Sequence, residues 1–149
     1  MNKKFLLGVT IAILLGLFLG TTFYKQYEKE QHLDNEYNSY LLQLGVYNSK
    51  EEMNKKVKNI DSYMVIERNN KYYVYLGIST KKKNAEKLKE VFNEQNIDVS
   101  IKKSVINNIE FMSNLEQFDI LLDNATNNED IMKVNEVILS SYEEMVMPN

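Results

Sequence analysis

Four side chains in this chain of 149 residues have types and spacing that could do chemistry together: Gln43, Tyr47, Tyr73 and Tyr75. They come from two stretches, YLLQLGVY (40–47) and YYVYLGIS (72–79), which repeat a Leu-Gly pair at an offset of 32 residues. A tyrosine ring offers an apolar face with a hydroxyl at its rim, and a glutamine amide both donates and accepts hydrogen bonds. Together they suit a ligand that has apolar C–H faces and hydroxyls, as a sugar ring has. The plainer reading is that tyrosine favours strands and tolerates half-exposure whatever the function.

Covalent and acid–base chemistry find no comparable set. There is no cysteine, so neither a disulfide framework nor a thiolate metal site can form. The single histidine, His32, falls in the polar segment KQYEKEQHLDNEYN (25–38) and reads as an exposed linker residue. Glu51 and Glu52 are accounted for by helix capping and the helix dipole. No glycine-rich phosphate loop and no metal-spaced ligand cluster occurs. The chain is therefore expected to be no enzyme and to use no cofactor or metal. Lys81, Lys82 and Lys83 stand where a helix should begin, an end of the dipole that disfavours positive charge. They read as a solvated run or as a contact for anionic wall polymer or lipid phosphate.

The candidate residues need strands to hold them. In the first stretch Tyr40, Leu42, Leu44 and Val46 alternate with Leu41, Gln43, Gly45 and Tyr47; in the second, Tyr72, Val74, Leu76 and Ile78 alternate with Tyr73, Tyr75, Gly77 and Ser79. Strict alternation puts the even set on a core and the odd set outward. A helix should follow each strand. Ser49 and Glu52 form a capping box ahead of Met53, Val57 and Ile60, and Thr80 can cap a helix whose apolar face is Ala85, Leu88, Val91 and Phe92. Further strands are expected at 62–68, turning at Asn69-Asn70, and at 98–105. The order β-α-β-β-α-β predicts an α+β, ferredoxin-like fold: a four-stranded antiparallel sheet with two helices on one face and the other face bare.

Both flanks differ from this module (38–106). Residues 5–24, FLLGVTIAILLGLFLGTTFY, are uncharged and long enough as a helix, roughly 30 Å, to cross a bilayer core. Lys3 and Lys4 before them favour a cytoplasmic N-terminus, with the rest of the chain extracytoplasmic. The competing reading, a cleaved signal peptide, lacks a small-x-small cleavage site after the apolar run. Residues 1–24 thus read as a membrane anchor and 25–37 as a linker. Residues 107–149 carry two apolar stripes, Phe111, Leu115, Phe118, Leu122 and Ile131, Val134, Ile138, Tyr142, Met145, broken at Asn127-Asn128: a helical hairpin. Residues 37–103 hold twelve Lys and one Arg against eight acids, +5; residues 104–149 hold one Lys against nine acids, −8. The acidic hairpin would fold back on the basic module or serve a protein partner.

Gln43-Leu44-Gly45 in the first stretch, Tyr72, Val74, Leu76 and Gly77 in the second, and Ala85 early in the following helix resemble the sporulation-related repeat (SPOR) domain over residues 38–105. A single-span anchor is common in that family. The resemblance implies a βαββαβ fold that binds peptidoglycan glycan strands stripped of stem peptides, in bacterial cell division, sporulation or wall remodelling. The chain departs from the family at Tyr73, where arginine is frequent, at Gly77-Ile78-Ser79, and in the first helix at Met53 and Asn54. RNA-recognition modules share the topology and also place aromatics on the central strands. The expected extracytoplasmic location argues against nucleic acid. A scaffold subunit that binds other envelope or division proteins without glycan is the alternative.

Overall fold

The structure, a computed structural model, describes residues 38–147. The expected anchor (5–24) and linker (25–37), His32 included, lie outside the described residues. Among those described, no helix is long and apolar enough to cross a membrane.

The elements run β1 (Asn38–Tyr47), α1 (Lys50–Val57), β2 (Met64–Arg68), β3 (Lys71–Ser79), α2 (Lys82–Glu94), β4 (Ser100–Val105), α3 (Ile109–Asn124) and α4 (Asn128–Val146). The fold is α+β. The four strands form one antiparallel sheet in the order β2-β3-β1-β4, so the two Leu-Gly strands lie side by side at its centre. The β2–β3 turn is Asn69-Asn70, both at positive φ (53° and 58°), as a two-residue hairpin requires and asparagine tolerates.

Helix starts follow local chemistry in three cases of four. Ser49 accepts from the Glu52 amide at 3.2 Å, Asn108 from Phe111 at 2.8 Å, and Asn127 from Asp130 at 2.9 Å. Each such cap is worth about 1 kcal/mol. The exception is α2. Its cap position is Lys81, with no side-chain cap, and Thr80 turns elsewhere.

Strict alternation along β1 is corrected by the ladder. Leu42 pairs with Gly77, but Gln43 pairs with Tyr75, leaving Leu76 as an extra residue on β3. Gly45 then pairs with Val74, leaving Leu44 as an extra residue on β1. Two bulges, one per strand, restore the count within three residues of each other; the one at Leu44 reverses which side of β1 is buried beyond it, while β3 keeps Val74, Leu76 and Ile78 inside. Val46, expected inside, is 39% exposed, and Tyr47, expected outside, is only 8% exposed. Leu42, Val74, Leu76 and Ile78 are buried as expected.

A single apolar cluster runs through every layer. It joins those strand residues to Met53 and Val57 of α1, Leu88 and Phe92 of α2, Phe111, Leu115 and Leu122 of α3, and Ile138 of α4. Burying one such large side chain contributes about 1.5–3 kcal/mol. The hairpin α3–α4 therefore shares its core with the sheet, and the described residues 38–147 fall within one compact unit. Of the expected stripes, Phe111, Leu115 and Leu122 and Ile131, Ile138 and Tyr142 are buried, while Phe118, Val134 and Met145 are partly so.

Candidate functional site

The two bulges decide which of the sequence candidates meet. Residues paired in register share a face, and neighbours along a strand oppose one another. Gln43 pairs with Tyr75 and Val46 with Tyr73, while Tyr47 pairs with Tyr72. Gln43, Tyr73 and Tyr75 consequently lie on one side and Tyr47 on the other. Tyr47 packs into the core, its ring lying over Gly45; a Cβ on that glycine would come within 2.6 Å of the Tyr47 hydroxyl oxygen. Burial, with the Glu52 charge adding to it, raises the Tyr47 phenol above its ordinary pKa of 10.0.

The face expected to be bare is roofed in part. The last turns of α4 cross it, and a cleft of about 360 Å³ remains between helix and sheet. Its floor is Leu41 of β1, Ile66 of β2 and Tyr73 and Tyr75 of β3; Tyr142 and Val146 of α4 form the roof; Arg68, Ser104 and Asn107 supply polar groups at its edges. Ile66 is the register partner of Tyr73, which explains why an edge strand contributes to the floor. Gln43 is not among the lining residues. Tyr142 is fixed from behind by an edge-to-face contact with Phe111, ring centroids 5.2 Å apart at 86°.

Tyrosine protonation in the cleft follows from its partial closure. Burial raises the Tyr75 phenol; the neighbouring Tyr73 raises it further and Arg68 opposes them. Burial likewise raises Tyr142, with Tyr75 adding to it. Both phenols are neutral hydrogen-bond donors at neutral pH. Arg68 forms no ion pair among the described residues, so its guanidinium is free to meet an anionic or hydroxyl-rich ligand.

The roof is held in place by polar contacts that the sequence patterns did not single out. Asp119 of α3 is completely buried at the foot of α2. It accepts from the Ser79 hydroxyl, from the Thr80 amide at 2.8 Å and hydroxyl at 2.5 Å, and from the Asn84 side-chain amide at 2.9 Å. Thr80, expected to cap α2, is thus engaged by α3. Lys81 pairs with Asp123 at 2.5 Å, Lys82 with Glu86 at 3.3 Å, and Lys87 donates to the Leu122 and Ala125 carbonyls that end α3. At the start of α2, Lys81 therefore faces a carboxylate of the acidic hairpin and Lys82 one of its own helix, which offset their unfavourable place at the positive end of the dipole. Asn135 of α4, also buried, donates to the carbonyl of the bulged Leu76 at 2.7 Å. Apolar periodicity could not flag Asp119 or Asn135, since each interrupts a stripe rather than continuing it.

Among the described residues no group of three or more His, Cys, Asp or Glu is placed to hold a metal ion. Comparison with family models, with curated proteins and with solved structures finds no match for this chain.

Proposed function

We propose that this chain is a membrane-anchored bacterial cell-envelope protein whose sheet module binds peptidoglycan glycan in the cleft beneath α4. The observation that carries the reading is the convergence of Tyr73, Tyr75 and Tyr142 with Arg68, Ser104 and Asn107 around one cavity. Aromatic faces suit the C–H faces of a pyranose, and the polar groups suit its hydroxyls, acetamido oxygen and any carboxylate. The resemblance of residues 38–105 to the SPOR domain supports the same ligand, and the order βαββαβ agrees with it. Residues 5–24 would supply the anchor, with the N-terminus cytoplasmic and the module outside. Cell division, sporulation and wall remodelling are the settings this reading implies.

Of the four residues proposed from sequence, Tyr73 and Tyr75 belong to this site, Gln43 borders the same face, and Tyr47 has a packing role. The test is co-sedimentation of the full chain, in detergent, with purified sacculi. Tyr73 stands outside the apolar cluster, so Tyr73→Ala spares the fold and should weaken binding about tenfold. Undiminished binding by a folded Tyr73→Ala protein would move the site away from the cleft.

A second reading, a scaffold that binds another envelope or division protein, draws on the outer face of residues 107–149. Ile120, Leu121 and Val137 are each at least half exposed there, on helices rich in acid. Leu121→Lys together with Val137→Lys would disrupt such a partner and leave sacculus binding intact.

A further inference from the structure

We infer that the roofed cleft recognises a short stretch of glycan, one or two sugar residues, and that Tyr142 and Val146 of α4 set this limit. The inference rests on the glycan reading above and adds the length of ligand the site can take.

The sheet alone would offer a platform about four strands wide, at roughly 4.8 Å per strand, on which an extended oligosaccharide could lie. The last turns of α4 remove that option. They stand over Tyr73 and Tyr75 and leave a half-open cleft of about 360 Å³, lined at the end of β4 by Val105 and beyond it by Ile106 and Asn107. That volume falls near the lower end of the roughly 300–1,000 Å³ typical of small-molecule sites. One or two pyranose rings fill such a space, and further rings would lie outside it, beyond the three tyrosines that line it.

The roof is not an incidental loop that a ligand could push aside. Tyr142 is buried and braced by Phe111. Asn135, two turns earlier, is fixed to the Leu76 carbonyl, and Asn108 donates to the Met145 carbonyl at 2.9 Å beside Val146. Opening the face for a longer ligand would break these bonds and expose Ile138 and Leu139, both buried on the same helix. Val146 is the adjustable part, since it lies only partly buried in the final turn.

The experiment measures binding of β-1,4-linked N-acetylglucosamine oligomers to the full chain in detergent by titration calorimetry. With the native sequence, the tetramer and hexamer should bind within about threefold of the dimer, because residues beyond the second gain no contact. Val146→Ala should widen the cleft and shift preference toward the longer oligomers. Val146→Leu should narrow it and weaken all lengths alike. Both variants are checked for folding by circular dichroism. Affinity that climbs more than about tenfold from dimer to hexamer would overturn the length limit while leaving glycan binding standing. Sacculus binding without any oligomer binding would also overturn it. Failure to bind both sacculi and oligomers would remove the glycan reading itself.

Discussion

The two Leu-Gly stretches are near copies in sequence and opposites in use. In β1 the extra residue Leu44 and its neighbour Gly45 turn Tyr47 inward, and the glycine makes room for the ring of its own strand. In β3 the extra residue Leu76 and its neighbour Gly77 make room for another element. A Cβ on Gly77 would stand 2.8 Å from Asn135 Oδ1 and 3.4 Å from both Leu42 and Leu88. One copy closes on itself, while the other is the dock for α4. The strand ends differ in the same sense. The first copy leads to Ser49, which caps its own helix; the second leads to Ser79 and Thr80, which are held by Asp119 of α3. A local repeat thus acquires two roles from what it lies against.

The largest effect that would break this contrast is Asp119→Ala. It leaves the Thr80 amide without its acceptor and takes from Ser79 and Asn84 one of the two acceptors each has, the Lys81 carbonyl and the backbone carbonyl of residue 119 remaining, at a cost of about 3 kcal/mol. Urea unfolding should show a lowered midpoint. A loss under about 1 kcal/mol would mean that the hairpin is held by its apolar contacts alone. Gly77→Ala comes next, at about 2 kcal/mol, because Asn135 cannot yield without releasing Leu76. The same change at Gly45 should cost about half as much, since the obstacle is the tip of one tyrosine ring. Equal losses at the two glycines would erase the distinction between the copies. Ser49→Ala, which removes the first copy's local cap, should cost about 1 kcal/mol and leave sacculus binding unchanged.

The smallest effect lies in alkaline titration. Tyr47 in the first copy and Tyr75 in the second both have folded pKa values raised above 10.0. For such a group the folded state holds its proton longer than the unfolded state. Its contribution to stability is full below pH 10.0 and is lost as pH rises through the folded pKa. Stability measured against pH should therefore decline on the alkaline side of that value. Arg68→Gln should push Tyr75 higher still, by removing the charge that opposes its shift, and leave Tyr47 where it is. A tyrosinate absorbance titration separates the two.

Much of this was legible without coordinates because it depends on neighbours in sequence. The capping box at Ser49, the paired positive φ of Asn69-Asn70 and the two stripes of the hairpin are local matters, settled within a few residues. Tyr73 and Tyr75 could be placed together because nothing interrupts β3 between them. Tyr47 could not be placed, because alternation from Gln43 assumes a ladder without bulges, and a bulge is visible only once the partner strand is known. The cleft residues Arg68, Asn107 and Tyr142 come from a hairpin edge, a connection and a helix far apart in the chain. No spacing rule unites them.

The sequence by itself determined the elements, their order and the aromatic strand at the centre, since periodicity, caps and turns act over a few residues. Only the tertiary structure decided which face those aromatics occupy, what roofs it and how much space remains. Those outcomes depend on two bulges facing one another and on buried Asp119 and Asn135 finding partners 40 and 59 residues away. A buried polar group takes whichever partner the fold brings to it, because leaving it unpaired costs more than almost any local preference can offset.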